Sequence, residues 1–281
     1  MKKVVLAYSG GLDTSYCLKY LKNEQGYEVH TVLINTGGFD DEELKAIEDR
    51  AYELGSAKHV NLTILDKYYD KAIKYLIYGN VLKNNTYPLS VSAERVFQAI
   101  EAIKYAKSVG ATAIAHGSTG AGNDQIRFDL IFQTIAPEIE IITPIRDLKL
   151  SRQEEVDYLS KNGVHYSWEK AQYSINKGLW GTSVGGKETL TSAKPLPNEA
   201  YPSQLTKEGE EKVTLEFLKG ELVAVNGIKD KPSNNIVALE KLANAYAIGR
   251  DIHVGDTIIG IKGRVGFEAA APLIIIKAHH L

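Results

Sequence analysis

Residues 7–15 read Ala7-Tyr8-Ser9-Gly10-Gly11-Leu12-Asp13-Thr14-Ser15. Ahead of them, Lys3-Val4-Val5-Leu6 is short, apolar and β-branched. Behind them, Tyr16-Cys17-Leu18-Lys19-Tyr20-Leu21 repeats apolar groups at helical spacing. The stretch is therefore expected to be strand, glycine turn and helix start. That geometry aims free backbone N–H groups and the positive end of a helix dipole at one spot, which suits a phosphate. Gly10 and Gly11 tolerate backbone angles closed to other residues and let an anion approach the main chain. Ser9, Thr14 and Ser15 add hydroxyl donors. Asp13 is the unusual member, because a carboxylate beside a phosphate cradle makes sense when a divalent cation bridges the two.

Outward from this stretch, the first half alternates strands and helices. Strands are expected at Val29–Ile34, His59–Leu65, Thr112–Ala115 and Glu140–Thr143, and helices at Asp41–Leu54, Tyr68–Ile77, Ala93–Ser108, Asp124–Ile135 and Ser151–Asn162. Ser151 with Glu154 reads as a capping box. The alternation implies an α/β fold with a doubly wound parallel sheet, whose ligands sit beyond the carboxyl ends of the strands. Residues 1–165 are taken as this first domain and 166–281 as a second, α+β one. Within the latter, Trp168–Pro202 reads as extended loop. Val213–Phe217 and Leu222–Val225 read as a hairpin turning near Lys219-Gly220, and Asn235–Ile248 as a helix stopped by Gly249. Thr257–Ile261 and Leu273–Lys277 read as strands.

The chain has 281 residues and a net charge of −2 from 33 basic and 35 acidic residues, so no basic excess points to nucleic acid or an anionic membrane. Cys17 has no partner for an intrachain disulfide. No signal-peptide pattern or membrane-length apolar run is present, and a soluble cytoplasmic protein is the expectation. Cys17, early in the first helix, reads as a packing residue. His279-His280, taken as part of a strand, point to opposite faces and do not read as a shared metal site. Lys262-Gly263-Arg264 reads as solvated charge.

A second glycine-rich run, His116-Gly-Ser-Thr-Gly-Ala-Gly-Asn-Asp-Gln-Ile-Arg127, again lies between strand and helix. Thr119, Asn123, Asp124 and Arg127 offer neutral, acidic and cationic groups suited to a zwitterion, Arg for its carboxylate and Asp for its ammonium. Read alone, the run equally fits a plain connection in which Asn123 or Asp124 caps the helix.

The first loop lacks the lysine of a Walker loop. Its Ser-Gly-Gly-x-Asp-Thr/Ser wording resembles the PP-loop of ATP pyrophosphatases. Taken together, Tyr8–Ser15 and His116–Phe128 resemble the two signature runs of argininosuccinate synthases, with Ala121 where a lysine is common. The resemblance extends from Met1 to the end of the chain. It implies that citrulline, aspartate and ATP give argininosuccinate, AMP and pyrophosphate through a citrullyl-adenylate, with Mg²⁺ held at Asp13. By resemblance, ATP falls to Ala7, Tyr8, Ser9, Gly10, Gly11, Leu12, Asp13, Thr14 and Ser15, the backbone near Ile34, and Gly117. Aspartate falls to Thr119, Asn123 and Asp124. Citrulline falls to Tyr87, Ser92, Asn123, Arg127, Ser174 and Ser183. Asp13, Ser9 and Asp124 are the expected catalytic groups. Ser92 also reads as an N-cap, and Ser174 and Ser183 sit in the stretch read as loop.

Many members of that family place a glutamate and a tyrosine against citrulline where this chain has Gly255 and Phe267. Either another acid, Glu268 or Asp256, takes over recognition of the citrulline amine, or that recognition is weaker. The family's usual C-terminus extends further and supplies a helix to neighbouring subunits. A homotetramer is expected of the family, with poorer assembly here. Rival readings are a tRNA thiouridylase, which needs catalytic cysteines and a basic face, an amidotransferase-type synthetase, which needs an ammonia-producing domain, and a nucleotide-binding module without chemistry.

Overall fold

A computed structural model describes residues 2–166, 173–257, 260 and 262–281. Packing divides the chain into two compact units that are not contiguous in sequence. One comprises Met1–Asn35, Phe39–Thr63 and Arg95–Lys170, and the other Thr36–Gly38, Ile64–Glu94 and Ala171–Leu281. A single boundary near residue 165 therefore does not capture the packing, because 64–94 folds with the C-terminal part. No described helix is long and apolar enough to cross a membrane.

The first unit is built on five parallel strands in the order β3-β2-β1-β4-β5. They are β1 (Lys3–Ala7), β2 (Glu28–Asn35), β3 (Lys58–Thr63), β4 (Ala113–Ala115) and β5 (Glu140–Ile142). The connecting helices are α1 (Leu12–Asn23) and α2 (Asp41–Glu53) on the early side, then α5 (Ser90–Ser108), α6 (Asp124–Ile135), α7 (Pro144–Leu148) and α8 (Arg152–Lys161). Strand order runs outward in both directions from β1. With right-handed crossovers, that reversal makes the carboxyl edge between β1 and β4 the switch point, where ligand crevices form. Val4, Leu6, Leu18, Leu21, Ala51, Leu54 and Leu159 fill one core layer. Cys17 lies in it with no exposed surface, and burial pushes its thiol well above the ordinary range. The expected capping box of α8 is present, with Ser151 N–H donating to Glu154 at 2.8 Å. A second, unexpected one starts α2, where Asp40 and Glu43 exchange bonds of 2.8 and 2.9 Å.

The second unit contains α3 (Leu65–Tyr68), one π-helical turn at Tyr69–Ile73 and α4 (Lys74–Tyr78). A four-stranded antiparallel sheet follows, ordered β11-β12-β7-β6. Its strands are β6 (Tyr173–Gly178), β7 (Gly181–Gly186), β11 (Arg250–Asp256) and β12 (Lys262–Glu268). A smaller sheet holds β8 (Leu215–Leu218), β9 (Glu221–Val225) and β10 (Ile228–Lys229). The β8–β9 hairpin turns through Lys219 and Gly220, both with positive φ, as a primed turn requires.

Four sequence expectations are corrected here. Leu273–Lys277 is helical, inside α10 (Ala270–His280). A helix buried on most sides carries no polar stripe, so its apolar run mimics a strand. His279 and His280 are therefore helical as well, and His279 stacks on Tyr78 with ring centroids 5.9 Å apart. The part of Trp168–Pro202 that carries Ser174 and Ser183 is not loop but the β6–β7 pair. Arg264 is not simply solvated, since its Nη2 donates to the carbonyls of Glu188 and Lys194 at 2.5 and 2.7 Å. Of the expected strand Thr257–Ile261, the three isoleucines lie outside the described residues.

The helix read as Asn235–Ile248 is α9 (Pro232–Asn244), opened by proline at its first position. Gly249 adopts φ +76°, and a Cβ there would lie 2.5 Å from Ala270 Cα. Gly249→Ala is expected to destabilise this unit by at least about 2 kcal/mol, from left-handed strain plus overpacking. Calorimetry should show Tm lower by roughly 5 °C.

Glu240 on α9 accepts the Ala271 N–H at 2.7 Å and so caps α10. Burial pushes its carboxyl from 4.5 up to about 7, with Glu268 adding to the rise and the Ala271 N–H and Lys177 opposing it. The folded state thus keeps a proton that the unfolded chain has released. This contribution to stability is full below about pH 4.5 and is lost as pH rises through about 7. Glu240→Gln should melt close to wild type at pH 5 and above it at pH 8.5.

Candidate active site

In the first unit, α1 begins directly after Gly11, whose conformation is extended and which supplies no side-chain cap. The first N–H groups of a twelve-residue helix are thereby left for an anion. Ser9 and Thr14 face each other across the turn, Oγ to Oγ1 at 3.3 Å. Ser9 and Gly11 are exposed, whereas Tyr8, Leu12 and Ser15 are buried, so any contact by these three with a ligand would be through the backbone. Gly10 has φ +74°, and a Cβ on it would stand 3.0 Å from Ile47 Cγ1. Arg50 Nη1 donates to the Gly10 carbonyl at 2.6 Å, and its guanidinium lies 4.7 Å above the Tyr166 ring. The α2 helix therefore braces the loop from behind.

Asp13 and Glu155 of α8 are close neighbours, and each carboxyl feels the other. Burial raises both from their ordinary values, Glu155 to about 8, with the neighbouring Asp13 adding to it and Arg152 opposing it. Glu155 is 3% exposed, and its Oε2 has no hydrogen-bond partner among the described residues. Two facing carboxyls with an orphaned buried oxygen are a donor set that suits a hard divalent cation.

The two glycine loops meet. A Cβ on Gly117 would lie 3.2 Å from Thr14 Cγ2 and 3.3 Å from Asp13 backbone carbon, so a side chain there would crowd the start of α1. Beyond Gly117, Thr119 is exposed. Asn123 occupies the N-cap position of α6 with helical angles and makes no side-chain cap bond, so capping does not account for it. Asp124 bonds Arg127 Nη1 at 2.7 Å and Arg95 Nε at 3.0 Å. Burial works against its charge, but the two guanidiniums outweigh burial and hold the carboxyl below its ordinary value. Arg95 also reaches Gln98 at 2.7 Å, and Gln98 donates to the Ile34 carbonyl at 3.5 Å. Arg95 and Gln98 escaped the sequence reading, because a polar residue on a helix has no local signature of what it meets.

In the second unit, Tyr87 is buried. Its hydroxyl accepts from Ser90 Oγ and Val91 N, both at 3.2 Å. Its ring stacks on His253 at 4.8 Å and tilts against Phe267 at 5.3 Å. Ser92 lies inside α5 rather than capping it. Asn176 is paired with Ser183, and Ser183 with Phe267. Paired residues share a sheet face, and alternation puts Ser174 on the face of Asn176. Ser174, Ser183 and Phe267 therefore line one face, with Tyr87 packed on Phe267. Glu268 points to the opposite face. It is 2% exposed, ion-paired with Arg250 at 2.8 Å and bonded by Ser203. Its carboxylate is already committed, so it does not replace the acid missing at Gly255. The Asp256 side chain lies outside the described residues.

An uncapped helix end, a glycine loop pressed against it and a charged cluster thus stand together at the switch point of an α/β domain. Two family models match the chain: the arginosuccinate synthase N-terminal HUP domain over residues 3–165 and the arginosuccinate synthase C-terminal domain over 173–281. Argininosuccinate synthase of Methanocaldococcus jannaschii is 38% identical over 278 residues, covering 98% of this chain and 70% of the relative. That of Xanthomonas campestris pv. campestris is 39% identical over 291 residues, covering 99% and 71%. That of Pyrococcus furiosus is 39% identical over 281 residues, covering 99% and 68%. The chain belongs to the argininosuccinate synthase family and is an enzyme of that type.

Proposed function

We propose that the chain ligates citrulline and aspartate to argininosuccinate at the expense of ATP, releasing AMP and pyrophosphate, as a step of arginine biosynthesis. The observation that carries this reading is the contact of Gly117 with the start of α1, which sets the phosphate-type cradle beside Asn123, Asp124 and Arg127.

The N–H groups of the first turn of α1, with Ser9 and Thr14, hold the departing pyrophosphate. The backbones at Ile34 and Gly117 hold the nucleotide. Thr119, Asn123 and Asp124 bind aspartate, with Asp124 facing its ammonium. The resemblance assigns Arg127, Asn123, Tyr87, Ser92, Ser174 and Ser183 to citrulline. The ureido oxygen of citrulline attacks the α-phosphorus and pyrophosphate leaves. The aspartate amine then attacks the ureido carbon and AMP leaves. Neither half needs a side-chain nucleophile, so positioning and charge neutralisation supply the catalysis. Asp13 and Glu155 would hold Mg²⁺, which when bound neutralises charge on the polyphosphate.

Citrulline labelled with ¹⁸O at the ureido oxygen tests the route. Attack through that oxygen puts the label in the phosphate of AMP. AMP free of label, or no AMP at all, overturns the adenylate, and the second result is what a nucleotide-binding module without chemistry would give.

A further inference from the structure

The loop 117–123 carries three glycines and no side chain large enough to anchor it in a core. Its shape must be held by bonds to its backbone, and two side chains make them. His116 Nδ1 accepts the Ser118 N–H at 3.2 Å. Gln125 Nε2 donates to the carbonyls of Gly120 and Gly122 at 2.6 and 3.2 Å. Both holders converge on Arg146. Its Nη1 donates to Gln125 Oε1 at 3.2 Å and to Asp129 Oδ2 at 2.6 Å. Asp129 Oδ1 in turn meets His116 Nε2 at 2.9 Å.

The donors and acceptors are mutually consistent. Because Nδ1 accepts from Ser118, Nε2 carries the proton and donates to Asp129. Because the Gln125 amide nitrogen serves the two carbonyls, its oxygen is left for the guanidinium. Burial opposes the charge on Asp129, but bonds from His116 and Arg146 outweigh it and hold the carboxyl below its ordinary value. The Arg146 stem also lies under the loop, with Cγ 3.7 Å from where a Cβ on Gly120 would stand. One cation thus fixes the rotamer of Gln125 and, through Asp129, the tautomer of His116.

We infer that Arg146 on α7 is a positioning residue for aspartate, holding the backbone of 117–123 in the shape that presents Thr119 and Asn123. This rests on the assignment of that loop to aspartate made above. Arg146 acts through His116 and Gln125.

Arg146→Ala, Arg146→Lys and Gln125→Leu test it with two readouts. The first is amide hydrogen exchange at Ser118, Gly120 and Gly122. Arg146→Ala should speed it at least tenfold while β1 and α1 stay protected. The second is steady-state kinetics. The KM for aspartate should rise about 10- to 100-fold, and by several times more than the KM for citrulline, which shares Asn123, or for ATP, which shares Gly117. Arg146→Lys, which keeps a cation beside Asp129 without the planar fork, should recover thermal stability but only part of the aspartate affinity. Adding Arg146→Ala to Gln125→Leu should cost much less than the two separate losses combined. Should Arg146→Ala not fold, Arg146→Lys and Gln125→Leu carry the same comparisons. Unchanged exchange in the loop, or equal rises in all three KM values, overturns the inference. A wild-type enzyme that does not use aspartate, with loop exchange still loosened by the variant, overturns the aspartate assignment and leaves the brace standing.

Discussion

Asp13→Asn is expected to lower kcat by on the order of 10²–10³-fold, the scale seen when one element of transition-state charge stabilisation is removed. Binding of AMP should change by less than about tenfold. The two effects separate because Asp13 lies at the second position of α1, against Glu155, while its backbone belongs to the turn proposed above for the phosphates. Asn preserves size and hydrogen bonding, so the turn keeps its shape. What disappears is one of two facing carboxyls, and with it part of the charge proposed to hold Mg²⁺. Pyrophosphate release gives kcat, and titration calorimetry gives AMP affinity. An unchanged kcat would remove Asp13 from the reaction. Glu155→Gln should act in the same direction, a prediction that the sequence alone did not suggest.

The second large effect is expected for Arg127→Ala, which should raise the KM for citrulline about 100-fold and leave the KM for ATP unaltered. A charge-assisted pair that loses one partner costs about 2–5 kcal/mol, and each 1.4 kcal/mol is tenfold. The variant should fold, because Asp124 keeps Arg95 at 3.0 Å when Arg127 is removed. That retained pair also predicts that aspartate binding suffers less than citrulline binding. Identical citrulline kinetics in the variant would contradict the role given to Arg127.

The parts legible in the sequence are those whose causes are local. Strand, turn and helix at 3–23 follow from a β-branched run, two glycines and a helical repeat, and the structure has β1, the loop and α1 there. Asp124–Ile135 is found with the same bounds because its helix starts at a glycine-rich loop and stops at Ala136-Pro137. The Lys219-Gly220 hairpin follows from turn chemistry.

What escaped depends on contacts far apart in sequence. Leu273–Lys277 misleads because four apolar residues in a row show no polar face to mark a helix, although Ala269-Ala270-Ala271-Pro272 just ahead is a helix-start pattern. Ser174 and Ser183 gain meaning only from the register that puts them on one sheet face with Phe267. Arg95, Arg146 and Glu155 are ordinary helix charges until the fold sets them against Asp124, Asp129 and Asp13.

The central claim is that this chain couples cleavage of ATP to joining two amino acids. Pyrophosphate release should be measured with ATP and Mg²⁺ in four mixtures: neither amino acid, citrulline alone, aspartate alone, and both. The account predicts sustained release with both, at most a single turnover with citrulline alone, and none in the other two. Release that is indifferent to citrulline and aspartate, or absent from all four mixtures, would contradict it.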